Sequence, residues 1–257
     1  LSLVPTMLIA LLQQRDYRPL PATLKTILLG GAPVPTSLVE RARELKLPLL
    51  TSYGLTETGS QVCTLSPQDS TEKLNTSGRP LKYRELSIVD ANGLQALTNT
   101  IGEIAVRGEV LFKRYLGGET LDADSWFYTG DVGSLDTDGY LTVYGRKDDM
   151  LISGGENIFP REIEAEVETF PGVADCAVIG VPDTKWGERP VLFVATTAPA
   201  NFDVSALKRH LHEQLARIKV PDTIIVTERL PRIGIGKVDK TRLMDLYRER
   251  ENNHGAD

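Results

Sequence analysis

The chain has 257 residues, of which 41% are hydrophobic and 25% are charged, enough for one large or two modest globular domains. Its formal net charge of -6 offers no basic surface for phosphate backbones, so we expect no nucleic-acid partner. No apolar run approaches the roughly 18 residues of a membrane helix and no secretory signal opens the chain, so we expect no membrane insertion and a cytoplasmic location. Cys63 and Cys176 lack metal-ligand spacing, and we interpret them as reduced thiols, with a disulfide as the less favoured alternative.

Residues 1–81 alternate helical and strand patterns, which predicts an α/β region. Helices are expected near 3–14 and 37–45, and buried strands over 26–31 and 47–54. In open α/β sheets, ligands bind outside the carboxyl ends of the strands. The glycine-containing turns that follow these two strands are therefore the first candidates for a binding site.

Residues 82–145 change to short β segments, which predicts a small antiparallel barrel or sheet. The dipeptides Asn92-Gly93 and Asp138-Gly139 supply turn signals between them.

From residue 146 onward the pattern changes again and predicts a small α+β unit. We place the boundary near 146–149, which gives one domain over 1–147 and a second over 148–257. The predicted strands lie near 150–155, 174–181, 191–197 and 223–228, and the predicted helices follow Pro160, follow Asp203 with the stripe Leu207, Leu211, Leu215 and Ile218, and cover 239–250.

The turn Gly30-Gly31-Ala32-Pro33 ends the first buried strand. Its glycines permit close approach of the backbone to a flat ligand, and the proline stiffens the exit. A tight turn without a ligand is the alternative interpretation.

The segment from Ser52 to Gly59 ends the next strand and brings together several kinds of side chain. The Tyr53 ring can stack on a purine, the Thr56 hydroxyl can donate to a phosphate oxygen, and Glu57 is a hard oxygen ligand for Mg²⁺. In the alternative, Tyr53 is a core residue, Thr56 caps a helix and Glu57 faces its dipole.

Three further positions combine polar chemistry with turns. Asp131, which we expect in a turn after an aromatic strand, can accept from both ribose hydroxyls, and Arg146 can donate to the same sugar or to a phosphate. A solvated turn aspartate is the alternative. The glycines of Ser153-Gly154-Gly155 permit close approach of a narrow ligand, with a simple bulge as the alternative.

Lys237 lies in the run PRIGIGKVDK, residues 231–240. Gly234 and Gly236 make this loop flexible, and an ammonium group at its tip suits negative charge that develops in a phosphoryl or acyl-phosphate transition state. A lysine that is only solvated is the alternative.

In this order, the motifs resemble the adenylate-forming superfamily, which includes acyl- and aryl-CoA synthetases, luciferases and peptide-synthetase adenylation domains. The resemblance implies ATP or AMP, Mg²⁺ and coenzyme A as ligands, a small carboxylic acid as substrate, and a partial large adenylate-forming domain followed by a small mobile lid domain. The roles it implies are adenine binding for Gly30, Gly31, Ala32, Pro33 and Tyr53, nucleotide contacts for Ser52 and Gly54, phosphate and magnesium binding for Thr56 and Glu57, ribose binding for Asp131 and Arg146, pantetheine binding for Ser153, Gly154 and Gly155, a hinge at Asp148 and catalysis of adenylation by Lys237.

Within this superfamily, residues 53–81 are similar to o-succinylbenzoate-CoA ligases of menaquinone biosynthesis. That similarity implies that Gly54, Thr58, Ser60 and Gln61 lie beside the acyl pocket. Another aryl- or fatty-acyl-CoA ligase, a carrier-loading adenylation domain and a non-catalytic nucleotide-binding module are the alternatives. The oligomeric state, including a homo-oligomer, stays open.

The superfamily carries a Ser/Thr/Gly-rich phosphate loop upstream of these motifs, and the sequence has no counterpart of it. The chain also begins at Leu1, within an amphipathic pattern. We therefore expect a preceding segment to complete the site, and we expect the 257-residue chain by itself to be inactive or nearly so.

Overall fold

The structure is a computed structural model that describes every residue except 17, 19, 70, 91, 123, 197–198, 235–236 and 255–257. The chain divides into two compact units, residues Leu1–Lys147 and Asp148–Asp257. Among the described residues, no helix has both the length and the apolar character needed to cross a membrane.

The first sheet of unit one contains three parallel strands followed by two antiparallel ones. Helix α1 begins with Pro5, whose fixed φ suits the first helical position, and it buries Leu8 and Leu12 against the sheet. The elements are β1 (Ser2–Leu3), α1 (Pro5–Gln14), β2 (Ile27–Leu29), α2 (Thr36–Glu44), β3 (Leu49–Leu55), β4 (Ser60–Thr64) and β5 (Arg79–Pro80).

The second sheet of unit one is antiparallel, with its strands in chain order. The sequence allowed a barrel or a sheet, and the structure has a four-stranded antiparallel sheet. The strands are β6 (Glu85–Val89), β7 (Gly102–Arg107), β8 (Phe127–Leu135) and β9 (Leu141–Arg146).

A shared apolar cluster holds the two sheets of unit one together. Val62 and Cys63 of β4 are fully buried against Ile104 of β7 and Leu141 of β9. Burial raises the pKa of the Cys63 thiol to about 12, so the thiol stays protonated and behaves as a small apolar side chain. This packing brings the carboxyl end of β3 close to β8.

Unit two is built around one long hairpin. Strand β13 pairs antiparallel with β12, parallel with β14, and through Gly187 with β10. The elements are β10 (Leu151–Ser153), β11 (Glu156–Ile158), α3 (Pro160–Val167), β12 (Asp175–Asp183), β13 (Gly187–Ala195), α4 (Val204–Gln214), β14 (Thr223–Thr227), β15 (Arg232–Ile233), β16 (Lys237–Val238) and α5 (Lys240–His254).

Both faces of this hairpin are covered. On β13, Leu192 and Val194 face the cluster of α3 and α4, whereas Val191 and Phe193 face the cluster that includes Leu243 of α5. Such alternation explains why β13 reads as a continuous apolar run.

The predicted stripe of α4 is wrong at its carboxyl end. The helix begins after Asp203, which accepts from the Ala206 backbone N–H at 2.9 Å, but it ends at Gln214. Leu215 is extended and Ile218 lies in a short 3₁₀ turn, although both still pack on the core of unit two. The apolar spacing therefore continues past the end of the helix because these two side chains are still packed on the core, which is why the sequence pattern overestimated the length of α4.

Candidate active site

Unit one contains an open cleft of about 300 Å³ where the end of β3 faces β7, β8 and β9. Its walls are partly aromatic and carry both signs of charge. The lining residues are Leu55, Glu57, Glu103, Tyr115, Phe127, Tyr128, Thr129, Gly130 and Arg146.

Beside this cleft, a hydrogen-bonded chain joins three of the predicted nucleotide residues. The Tyr53 hydroxyl donates to Asp131 Oδ2 at 2.7 Å, and Arg146 Nη1 donates to Asp131 Oδ1 at 3.2 Å. Burial, followed by the nearby charge of Asp131, raises the pKa of Tyr53, so its hydroxyl remains a donor at neutral pH. The Asp131 side chain is 10% exposed and that of Arg146 is 49% exposed, so the pair leads from the interior to the cleft.

Asp131 does not lie in a turn, as the sequence analysis expected, but inside β8 and directly opposite Arg146 of β9. The signal was misread because Gly130, with φ of +71°, breaks the regular strand without ending it. A Cβ at Gly130 would lie 2.9 Å from Arg146 Nη2, so glycine there lets the guanidinium group lie across the strand. The alternative of a solvated turn aspartate is also wrong, because the carboxylate is almost buried.

Glu57 and Thr56 lie in a short 3₁₀ turn that follows β3. Glu57 is held twice: its backbone carbonyl accepts from the Phe112 N–H at 2.7 Å, and its Oε1 accepts from the Tyr115 hydroxyl at 2.9 Å. Glu57 lines the cleft, and Thr56 is exposed beside it. The predicted phosphate and magnesium residues are therefore adjacent at one end of the cleft.

The donor set fits Mg²⁺ only if a substrate completes it. Among the described residues there is no group of three His, Cys, Asp or Glu side chains that could hold a metal ion. A single carboxylate such as Glu57 matches the usual manner of Mg²⁺ binding, in which phosphates and water supply most of the ligands.

Two predicted substrate residues, Gly54 and Thr58, shape the turn between β3 and β4. A Cβ at Gly54 would lie 1.9 Å from the Ser60 carbonyl oxygen, so only glycine fits there. Thr58 is fully buried, and its Oγ1 lies 2.9 Å from the carbonyl oxygens of Leu55 and Ser60. The hydroxyl of Thr58 is thus used inside the turn.

Ser60 and Gln61, the other two predicted substrate residues, begin β4. Ser60 is exposed and has φ of 115°, and Gln61 is half-buried. Within the described part of the chain, the buried Nε2 of Gln61 has no hydrogen-bond partner. Because a buried amide without a partner is costly, this donor is suited to a ligand acceptor.

The predicted adenine turn lies at the carboxyl end of β2. A Cβ at Gly30 would lie 2.4 Å from Ser52 Oγ, so glycine permits the close pairing of β2 with β3. Gly31, with φ of +77°, Ala32 and Pro33 are exposed. None of these four turn residues lines the cleft described above.

In unit two, Gly154 and Gly155 connect β10 to β11 rather than extending a strand. Both have positive φ, which a two-residue turn between right-twisted strands requires. The Gly154 N–H donates to the Trp186 carbonyl at 2.8 Å, and a Cβ at Gly154 would lie 2.7 Å from Trp186 Cε3. Ser153, which precedes them, is fully buried, so only the turn itself is available to a ligand.

Lys237 is the exposed first residue of β16, opposite Ile233 of β15. Gly234 has φ of +54°, whereas Gly236, which the sequence analysis assigned to the same loop, lies outside the described residues. Asp148, the predicted hinge, is the first residue of unit two and belongs to the short 3₁₀ turn Lys147–Asp149.

Five residues of the cleft were not among the predicted site residues: Glu103, Tyr115, Phe127, Tyr128 and Thr129. Glu103 precedes the three buried apolar residues of β7, where a polar residue is ordinary for a strand end and gives only a weak signal. Tyr115 lies in an irregular loop and has no periodic signal, so only the tertiary structure reveals its contact with Glu57.

Comparison with known proteins identifies the family of the chain. A family model described as AMP-binding enzyme matches residues 1–116, and one described as AMP-binding enzyme C-terminal domain matches residues 162–237. The 2-succinylbenzoate–CoA ligase of Bacillus licheniformis is 41% identical over 246 residues, which are 94% of this chain and 50% of that protein.

Solved structures give the same result. The o-succinylbenzoate CoA synthetase of Bacillus subtilis in complex with the acyl-adenylate intermediate OSB-AMP matches with a TM-score of 0.83, at 39% identity over 94% of this chain and 50% of that one. The same synthetase with ATP and magnesium ion matches with a TM-score of 0.79, at 37% identity over 92% and 49%. The chain thus spans about half the length of the relatives it matches, and it belongs to the AMP-binding enzyme family.

Proposed function

We propose that this chain supplies the C-terminal half of an ATP-dependent acid–CoA ligase that forms an acyl-AMP and then an acyl-CoA thioester. The observation that carries the proposal is the cleft where Glu57 lies close to the network of Tyr53, Asp131 and Arg146. A carboxylate and guanidinium pair suits ribose hydroxyls, and a separate carboxylate suits a phosphate-bound cation.

In the first half-reaction, the substrate carboxylate attacks the α-phosphorus of ATP and pyrophosphate leaves. Asp131 accepts hydrogen bonds from the ribose, Arg146 donates to the sugar or phosphate, and Thr56 donates to a phosphate oxygen. Glu57 would hold Mg²⁺, which supplies charge neutralisation on the phosphates. Lys237 donates to oxygens on which negative charge increases.

In the second half-reaction, the CoA sulfur attacks the acyl carbonyl carbon of the acyl-AMP and AMP leaves. The Gly154-Gly155 turn has no side chains and so permits close approach of pantetheine. Between the two half-reactions, a change of conformation at Asp148 would withdraw Lys237 from the acyl-AMP and bring the Gly154-Gly155 turn to it.

We propose o-succinylbenzoate as the acid. Support comes from the roughly 40% identity to 2-succinylbenzoate–CoA ligases and from the unpaired Gln61 amide at the start of β4. The product would then enter menaquinone biosynthesis. A cytoplasmic location remains a prediction from the sequence, and the oligomeric state stays open.

The test uses the complete protein that contains this chain, with ATP, Mg²⁺, CoA and a panel of aromatic and aliphatic acids. We expect AMP, pyrophosphate and one acyl-CoA, detected by mass spectrometry, and the highest kcat/KM with o-succinylbenzoate. A different preferred acid would contradict the substrate, and transfer to a carrier protein but not to CoA would indicate an adenylation domain. AMP binding with no turnover of any acid would contradict the ligase and favour a nucleotide-binding module.

A further inference from the structure

The segment between β7 and β8 is attached to the turn that carries Glu57. The Phe112 ring packs against Tyr115, with ring centroids 4.6 Å apart, and edge-on against Phe127 at 5.3 Å. Phe112 also donates its backbone N–H to the Glu57 carbonyl at 2.7 Å. These contacts fix the backbone of the segment and thereby fix where the Tyr115 ring lies.

The Tyr115 hydroxyl donates to Glu57 Oε1 at 2.9 Å, and both side chains line the cleft. An ionised carboxylate offers about four acceptor positions, so one bond from tyrosine leaves room for a cation.

We propose that Tyr115 is a positioning residue that fixes the orientation of the Glu57 carboxylate for a divalent cation brought by nucleotide phosphates. The inference deepens the proposed function and rests on it for the identity of the cation. A free glutamate side chain rotates about its terminal bond, and a single oriented donor removes that freedom before the cation arrives. Packing against Phe112 positions the Tyr115 hydroxyl, and this hydroxyl orients the Glu57 carboxylate.

The test compares Tyr115→Phe with the wild-type form of the complete protein. Phenylalanine keeps the ring that packs on Phe112 and removes only the hydroxyl. Tyr83→Phe is the matched control, because Tyr83 is 74% exposed and does not line the cleft. Circular dichroism and thermal unfolding verify that both variants are folded.

The binding readout is the affinity for Mn²⁺ in the presence of ATP, measured by electron paramagnetic resonance. Groups that orient a metal ligand typically contribute 10–100-fold to metal affinity, and for this half-exposed pair we expect a loss of about tenfold in Tyr115→Phe. ATP binding in EDTA should change less than about twofold, and Tyr83→Phe should match wild type. Unchanged Mn²⁺ affinity in Tyr115→Phe, or an equal loss of ATP binding in EDTA, would overturn the inference.

The activity readout is the Mg²⁺ concentration that gives half-maximal adenylate formation. Tyr115→Phe should raise it about tenfold and leave the rate at saturating Mg²⁺ nearly unchanged. In a Glu57→Gln background the same change should have no further effect on Mn²⁺ affinity, and an additive loss would overturn the role of Glu57 as intermediary. If wild type binds Mn²⁺ and ATP but adenylates no acid, the proposed function fails, whereas the binding readout still tests Tyr115.

Discussion

Replacing Tyr53 by phenylalanine tests the hydrogen bond that joins the end of β3 to β8. The change removes the donor to Asp131 Oδ2 but keeps the ring that packs on the apolar cluster. A hydrogen bond to a charged group contributes about 1.5–3 kcal/mol. After the change, the nearly buried Asp131 carboxylate still has its ion pair with Arg146 at 3.2 Å, so it is not left without a partner. We therefore expect a loss within that range, with the free energy of unfolding of unit one falling by about 2 kcal/mol.

The two tryptophans make this measurement specific to one unit, since Trp126 lies in unit one and Trp186 in unit two. In a Trp186→Phe background, Trp126 fluorescence during urea unfolding reports unit one alone. With an m-value of about 2 kcal/mol/M, Tyr53→Phe should lower the urea midpoint by roughly 1 M. The control Tyr83→Phe, at an exposed side chain, should change stability by less than about 0.5 kcal/mol.

An unchanged midpoint in Tyr53→Phe, or an equal decrease in Tyr83→Phe, would refute the reasoning. A double-mutant cycle with Asp131→Asn separates the pair from its surroundings. We expect a coupling energy of about 1 kcal/mol, and purely additive effects would show that the 2.7 Å contact is not a stabilising bond.

Three further outcomes follow from the geometry. Gly154→Ala should destabilise unit two by about 1–2 kcal/mol more than Gly155→Ala, because both have positive φ but only the Gly154 methyl meets Trp186; Trp186 fluorescence in urea checks this, and equal losses would contradict it. Burial raises the pKa of Tyr53 above its ordinary 10.0, so the contribution of its neutral hydroxyl to stability is present below pH 10 and declines above it. Between about pH 9 and 11, the free energy of unfolding should therefore decrease less steeply with pH in Tyr53→Phe than in wild type. Parallel curves for the two proteins would contradict this sign. In the complete protein, Lys237→Ala should slow adenylate formation about 100-fold and spare conversion of supplied acyl-AMP to thioester, and equal slowing of both steps would contradict its role.

Much of the local structure could be predicted from the sequence. Pro160 begins α3, Asp203 caps α4, and the turn at Asp138-Gly139 connects β8 to β9, because each of these signals acts within a few residues. The family motifs pointed to Glu57 and Arg146 of the cleft and to the adjoining Tyr53 and Asp131, since each motif is continuous in sequence, but they did not point to the other lining residues. The end of α4 was predicted too late, because the apolar spacing continues at Leu215, after the last helical residue Gln214.

Local sequence signals were thus sufficient for the types of element, the order of the motifs and the chemistry of their side chains. Which groups meet depends instead on how distant strands pack: Tyr53 reaches Asp131 across 78 residues, and Tyr115 reaches Glu57 across 58. Both contacts exist because buried packing of β4 against the second sheet brings the end of β3 to β8 and the segment before it. Side-chain periodicity specifies which face of an element is buried, but it carries no information about which distant strand end packs beside it.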